Sequence, residues 1–198
     1  MTSFDFTAKL NFGQITQAQI EGIENSLKNT EVTKVLSTPV FLIFDDNKGT
    51  QITVEPQQLN FRIARECEIE EILEDANIIS AILYALIGEN DVEVCVMRFV
   101  NIFKSDTDKA FEKLREKTGF DLSNGCLSNI QTVGYRFLMK TDSFYDEIRV
   151  EPLLREPDEL FIEGIYNKTR VCANRVIENV DSAYNDYKTK TQFFIDEM

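Results

Sequence analysis

The chain has 198 residues, of which 43% are hydrophobic and 28% charged, and this predicts a folded protein of one large domain or two fused halves. Acidic residues outnumber basic ones by 34 to 21, giving a formal net charge of −13, whereas nucleic-acid binders concentrate lysine and arginine. The chain has no histidine, which excludes Ser-His-Asp and Cys-His nucleophile systems and histidine-based metal sites.

The sequence indicates a cytoplasmic protein. It contains no apolar run long enough to span a membrane, and its first residues, MTSFDFTAKLNF, lack the basic and apolar regions of a signal peptide. The four cysteines are scattered and form no CxxC pair, so we expect reduced residues in a hydrophobic core.

Strands and helices alternate through the first half of the chain. Thr16 is expected to cap a helix whose apolar stripe contains Ile20, Ile23 and Leu27. A long helix from about 68 to 88 begins with acids and becomes apolar nearly all round, which predicts that its second half is buried. Strands are predicted over residues 3–12, 39–46, 50–56 and 57–64.

The order of strands and helices then repeats in the second half of the chain. The stretch VEVCVMRFVNIF, residues 92–103, predicts a strand that is apolar on both faces. A helix is expected from Asp106 to Gly119, and a last helix from about 170 to 196. The remaining strands are predicted over residues 129–140, 144–154 and 159–166.

This order predicts an α+β fold made of two β-α-β-β-β-α units, residues 1–90 and 91–198. Together the units are expected to form one compact domain, with a single curved antiparallel sheet of about eight strands and the helices packed on one face.

Two stretches carry a resemblance to a known fold. AKLNFGQITQAQIEGI (8–23) resembles the first strand, short loop and first helix of a repeat of the TATA-box-binding protein fold, a duplicated helix-grip with a saddle-shaped sheet. VMRFVNIF (96–103) resembles the equivalent strand of the second repeat. The resemblance implies this fold without DNA binding, because acids on the second-half strands would repel phosphate. These acids are Asp146, Glu147, Glu151, Glu159 and Glu163.

The chain is also similar to an uncharacterised, sporadically distributed bacterial family. The shared motif is Arg98-Phe99-Val100-Asn101, and QITVEPQQLNFRI (51–63) resembles the upstream strand pair of that family. The resemblance implies no established biochemical activity.

Strand arginines and one asparagine are the candidate ligand- or partner-binding residues. Arginines that share a face of the sheet could hold an anionic ligand or a partner carboxylate; alternatively, they pair with acids on neighbouring strands. Asn101 would contact a ligand or satisfy backbone groups. Strand alternation places Arg98 and Asn101 on opposite faces, so at most one of them belongs to a site on the open face. The set is Arg62, Arg98, Asn101, Arg136 and Arg149.

The open face of strand 92–103 is expected to carry an apolar patch. If Arg98 faces outward, Val92, Val94, Val96 and Val100 face outward with it, in alternation with Cys95, Met97, Phe99 and Phe103. A loop such as 119–128, a second copy or a partner would then cover the patch.

Three other segments have alternative interpretations. Asp45–Gly49 resembles the start of a calcium loop, but Pro56 stands where the loop needs glutamate, so a hairpin turn is favoured. The C-terminal pair Phe193 and Phe194 would end a core helix or bind a partner. An acidic cluster is interpreted as a solvated helix start and not as a metal site; it contains Glu66, Glu68, Glu70, Glu71, Glu74 and Asp75.

These features predict a non-enzymatic, acidic interaction module without a cofactor. It would bind and inhibit a basic or nucleic-acid-binding protein as an antitoxin-like, immunity or phage anti-defence protein. The alternatives are a helix-grip protein that binds a small anion through strand arginines, and a carboxylate- or metal-dependent enzyme. Homodimer formation stays open.

Overall fold

The computed structural model describes residues 1–104, 134–141, 144–153 and 156–197. A short 3-10 turn, Ala173–Arg175, precedes the last helix. The elements are β1 (Ser3–Lys9), α1 (Gln17–Leu27), β2 (Thr33–Thr38), β3 (Phe41–Asp45), β4 (Thr50–Glu55), β5 (Gln58–Ile63), α2 (Ile69–Ile87), β6 (Asp91–Lys104), β7 (Tyr135–Lys140), β8 (Tyr145–Leu153), β9 (Glu156–Cys172) and α3 (Val176–Glu197).

The nine described strands form one sheet, in the order β2-β3-β4-β5-β1-β6-β9-β8-β7. All neighbouring strands are antiparallel. β1 and β6 lie side by side in the middle, with the other strands of residues 1–90 on one flank and those after residue 91 on the other. This arrangement confirms the predicted α+β fold with a single large antiparallel sheet.

The described helices pack on one face of the sheet, which we call the helix face. Strand register places Phe4 opposite Phe99 and Phe6 opposite Met97, and all four side chains join a core that includes residues of α1, α2 and α3. Val100 is also buried but lies outside that core, because it points to the opposite, open face.

The predicted start of α1 is confirmed in detail. Thr16 forms a capping box with Gln19: the Gln19 backbone N–H donates to Thr16 Oγ1 at 3.3 Å, and the Thr16 N–H donates to Gln19 Oε1 at 2.9 Å. The Gln19 side chain also donates to the carbonyl of Leu86 at 2.7 Å. The N-terminus of α1 is thereby joined to the C-terminal turn of α2.

α2 matches its predicted bounds but not its predicted burial. Gly88 ends the helix with a φ of 64°, a conformation that glycine adopts without strain. Tyr84, however, is 59% exposed, and Ala81 is exposed as well. No described element packs over this outer stripe, since the sheet and the neighbouring helices contact the other sides of α2.

β2 is the strand that the sequence did not predict. It forms one edge of the described sheet, and five of its six residues are exposed, so it lacks the alternating pattern of a half-buried strand. The first unit therefore has four strands between α1 and α2 instead of three, and the described sheet has nine strands instead of about eight.

Two boundaries in the second half also differ from prediction. β9 extends from Glu156 to Cys172, well beyond the predicted 159–166, because it pairs with the long β6 along most of its length. α3 consequently begins at Val176 and not near residue 170. The predicted helix from Asp106 to Gly119, the loop 119–128 and the start of strand 129–140 lie outside the described residues.

An aromatic cluster joins α3 to the middle of the sheet. The ring of Phe99 lies 5.5 Å from that of Tyr187, measured between centroids, and the Tyr187 hydroxyl donates to the carbonyl of Ile162 at 2.9 Å. Gly164 lies opposite Phe99 on β9, and a Cβ there would be 2.5 Å from Tyr187 Cδ2. Because Gly164 has no side chain, the Tyr187 ring can lie directly against β9.

Candidate functional site

A row of charged side chains crosses the open face on six adjacent strands, from β5 to β7. Strand register places Asp5 opposite both Arg62 and Arg98, and Arg149 opposite Glu163. We call this set the charged row; in spatial order it contains Arg62, Asp5, Arg98, Glu163, Arg149, Glu147 and Arg136.

Arg98 lies at the centre of the charged row and binds two carboxylates. Its Nη1 donates to Asp5 Oδ2 at 2.8 Å, and its Nε donates to Glu163 Oε1. Burial disfavours the charged guanidinium, but the hydrogen bonds to Asp5 and Glu163 outweigh it and raise the pKa of Arg98. The arginine of the sequence motif therefore joins the two halves of the sheet.

The end of the charged row that belongs to the second half of the chain is built around Arg149. Its Nη1 lies 3.2 Å from Glu163 Oε2, and its Nε donates to Glu147 Oε1. Arg136 Nη2 donates to Glu147 Oε2 at 2.6 Å. The hydrogen bond from Arg136 lowers the pKa of Glu147, burial opposes this, and the Arg149 hydrogen bond lowers it further.

The carboxylates lie beneath the arginines. Glu163 is 3% exposed and Glu147 is 7% exposed, whereas Arg98 and Arg149 are half-buried and Arg62 and Arg136 are exposed. Glu163 Oε2 accepts no hydrogen bond of good geometry, and Arg149 is its ionic contact. Buried carboxylates require such compensation, because an unpaired charge away from water is costly.

The structure thus brings together four of the five sequence-predicted residues, and it binds each of the four to a carboxylate of this chain. Pairing with acids on neighbouring strands was one of the two interpretations, and the geometry favours it. Sequence reasoning missed the role of Asp5, although Asp5 alternates with Phe4 and Phe6 and so faces away from the core.

Asn101 lies apart from the other four candidates. It shares the helix face with Phe99 and Phe103 and lines a cleft of about 420 Å³ with Met1, Glu66 and Glu68 among others. The expectation that Arg98 and Asn101 point in opposite directions is confirmed, and a shared binding site for them is excluded by the sheet between them.

Val94, Val96 and Val100 flank the charged row as expected, but Val92 does not: it is 1% exposed and belongs to the core on the helix face, because the pairing of β6 with β9 is interrupted at Glu93 and the alternation does not continue beyond it. Val94 and Val96 are half-buried on the open face, and Ile102 lies opposite Phe161 of β9. The loop 119–128, one of the expected covers for this patch, lies outside the described residues.

The acidic cluster at the start of α2 behaves as a helix start. Within the described residues, no group of three or more potential ligand side chains is placed to hold a metal. Arg65 Nη1 donates to Glu71 Oε2 at 2.9 Å. Burial raises the pKa of Asp75 to about 6; the charge of Arg65 opposes this, and Glu71 and Glu74 add to it.

Replacing Asp75 by asparagine is expected to stabilise the protein at pH 7.5 by up to about 2–3 kcal/mol, with little effect at pH 4. The pKa of Asp75 is higher in the folded chain (about 6) than its ordinary value of 3.8, so the folded state binds more protons between these values. The free energy of unfolding of the wild type should therefore fall as the pH rises through that window. That of Asp75→Asn should not fall in this way, because asparagine does not ionise. Urea denaturation at both pH values checks this; an equal difference at pH 4 and 7.5 would contradict it.

The segment Asp45–Gly49 forms the predicted hairpin turn. Asp46 Oδ1 accepts from the backbone N–H groups of Lys48 at 2.7 Å and Thr50 at 2.9 Å. Gly49 adopts a φ of 112°. The Asp46 carboxylate is thus bound by the backbone of the turn.

The C-terminal phenylalanines divide between core and surface. Phe194 stacks on Phe137 of β7 with ring centroids 4.8 Å apart, so the end of α3 packs on the sheet. Phe193 is 60% exposed. The core interpretation holds for Phe194 alone.

Negative charge is concentrated on the three described helices, which we call the helix layer. α1 carries two acids and no base, α2 four acids and no base, and α3 five acids and two lysines. The helix layer thus has a formal charge of −9 out of −13 for the chain. The charged row, by contrast, has four arginines against three acids.

No family model matches the sequence, and no curated protein matches it. Among the described residues, no helix is long and apolar enough to cross a membrane.

Proposed function

We propose that the protein is a non-enzymatic interaction module that binds a basic surface of a protein partner through its helix layer. The observation that carries the proposal is the concentration of eleven acids and two lysines on α1, α2 and α3. Charges of one sign on one surface steer association with a partner of opposite charge and select against partners of like charge.

The charged row supports this choice of surface. Its guanidiniums are bound to carboxylates of the same chain, so the charged row offers little unpaired charge to a nucleic acid or a charged protein. Three acids of the helix layer pair with bases outside the helices (Glu24 with Lys34, Glu71 with Arg65, Glu178 with Arg175), which leaves eight acids against two lysines. The helix layer still carries more uncompensated charge than the charged row, and it is therefore the surface on which we place the partner.

The strand order supports the proposal of a duplicated helix-grip with a curved, saddle-shaped sheet. From the central strand outward, the first half runs β1-β5-β4-β3-β2 and the second runs β6-β9-β8-β7. Each half thus places its first strand beside its last, and the two first strands meet antiparallel. Residues 105–133, between β6 and β7, lie outside the described part of the chain.

The biological setting is proposed from the same features. An acidic module without histidine that occupies a basic surface fits an antitoxin-like, immunity or phage anti-defence protein that inhibits a nucleic-acid-binding partner. The three described cysteines, Cys67, Cys95 and Cys172, are unpaired, which fits the reducing cytoplasm.

The proposal is tested by reversing charge on the helix layer. Wild-type protein is used to capture a partner from the native host, and Glu70→Lys/Glu74→Lys is expected to weaken binding of that partner at least tenfold. Both residues are exposed on α2. The matched control is Glu93→Lys/Glu151→Lys, which makes the same charge change at exposed strand positions. Failure to capture a partner, or equal loss in both double variants, would count against the proposal.

A second candidate function is binding of a small anion at the charged row. Two observations favour it: the charged row has one more guanidinium than carboxylates, and Arg62 Nε contacts Asp5 Oδ1 at the comparatively long distance of 3.5 Å. An anion would have to compete with the internal carboxylates. A thermal-shift screen of nucleotides and acidic metabolites checks it, and an unchanged midpoint throughout would oppose it. A carboxylate- or metal-dependent enzyme is ranked last, because the carboxylates that meet in this row are bound by arginines.

A further inference from the structure

An apolar groove lies on the outer side of the helix layer, centred on Tyr84. This ring is 59% exposed, and α2 carries no charged residue from 76 to 87. Asn77, Ala81 and Tyr84 follow each other at helical spacing along the outer side of α2, and all three are exposed. A large exposed aromatic side chain of this kind is typical of an anchor point in an interface.

The groove extends to both sides of Tyr84. On one side, a cleft of about 500 Å³ lies between α1 and α2, lined by Gly22, Ser26, Ala81 and Ala85 among others. On the other side, a cleft of about 390 Å³ is lined by Gly88, Glu89 and the 3-10 turn. The two clefts adjoin at Tyr84, Ala173 and Asn174, which line both of them.

The depth of the groove follows from the close packing of α1 on α2. A Cβ on Gly22 would be 2.8 Å from the Cβ of Ala85, so only glycine permits this approach. Because neither residue projects outward, the surface between the helices stays concave and uncharged.

Acids border the groove at both ends. Glu74 and Glu70 continue the outer stripe of α2 before Asn77, and Glu89 lies just beyond the helix. From residue 77 to residue 88, α2 rises about 16 Å, which is the length of about three helical turns. An uncharged centre between two acidic ends is complementary to a short amphipathic helix with basic residues at its ends.

We propose that this groove binds an amphipathic, basic helix of the partner protein. Apolar side chains of that helix pack beside Tyr84, and its lysines and arginines reach Glu70, Glu74 and Glu89. Helix-in-groove binding uses anchors at this spacing. A second copy of the chain is disfavoured, since two helix layers of formal charge −9 would repel each other. The inference rests on the proposed function and narrows it to one surface of α1 and α2.

The test uses the full chain and a defined probe. The probe is a fluorescein-labelled 18-residue peptide of lysine and leucine with leucine at i, i+3, i+4 and i+7, and a scrambled peptide of the same composition is its control. Fluorescence anisotropy is expected to show at least tenfold tighter binding of the amphipathic peptide. Tyr84→Ala should weaken that binding about tenfold, and Ala81→Arg should weaken it further by filling the cleft with a repelling charge.

Tyr145→Ala is the matched control, because Tyr145 is a tyrosine of nearly equal exposure (57%) at the start of β8. Circular dichroism verifies the fold of each variant; should Ala81→Arg unfold, the exposed Tyr84→Ala decides alone. Equal binding of both peptides, or unchanged binding by Tyr84→Ala, overturns the proposal that this groove binds a basic amphipathic helix. The proposed function then still stands if Glu70→Lys/Glu74→Lys weakens capture of the partner, and it fails separately if that variant has no effect.

Discussion

Replacing Phe99 by alanine is expected to lower the free energy of unfolding by about 3–5 kcal/mol. Phe99 is fully buried at the centre of β6, where the two halves of the sheet meet. Removal of its ring leaves a cavity that the neighbouring strands, fixed by their hydrogen bonds, cannot close. Four aromatic rings then lose a partner at centroid distances of 5.3 to 5.9 Å: Phe4, Tyr166, Tyr184 and Tyr187.

Urea denaturation followed by circular dichroism measures this loss. Phe193→Ala serves as the matched control, since it deletes the same ring from an exposed position on α3 and should change stability by no more than about 0.5 kcal/mol. A similar, small effect of both substitutions would show that Phe99 does not hold α3 to the sheet.

Replacing Glu163 by alanine is expected to cost about 2–3 kcal/mol of stability. Breaking a fully buried ion pair costs about 3–5 kcal/mol, and the lower figure applies here because Arg98 and Arg149 are partly exposed and water screens their charges. The loss comes mainly from two guanidiniums left close together with one carboxylate fewer.

The same substitution separates the two candidate functions. In the Glu163→Ala variant, inorganic phosphate should raise the thermal midpoint by binding the freed guanidiniums, whereas the wild type should respond weakly because Glu163 already occupies them. Glu93→Ala, which removes an exposed acid from β6, should behave as the wild type does. An equally large response of the wild type would contradict this and favour anion binding at the charged row.

Local sequence signals predicted individual elements well. The cap at Thr16, the end of the long helix at residue 88 and the strand that begins at residue 3 each depend on residues close together in the chain, and the structure has all three. β2 escaped prediction because an edge strand exposed on both faces has no alternation to detect. The length of β9 escaped as well, because its pairing with β6 sets its end.

The candidate site, too, could be predicted only in part from the sequence. Strand alternation in the sequence was sufficient to separate Arg98 from Asn101, since side chains an odd number of residues apart point to opposite faces. The partners of Arg98 came only from the tertiary structure: Asp5 lies 93 residues away in the chain and Glu163 lies 65 away. Strand order and register decide such pairs, and no local pattern encodes them.

Composition by itself determined that the protein is acidic and lacks histidine-based chemistry, because these are counts of residues and do not depend on folding. Where the charges lie was decided by the tertiary structure. Folding places eleven acids on the helix layer and pairs the arginines of the charged row with carboxylates of the same chain. It also leaves the apolar stripe around Tyr84 uncovered within the described chain, although the sequence of α2 alone predicts burial. A helix contacts only what the rest of the fold places beside it, and here the sheet and its neighbours reach the other sides of α2.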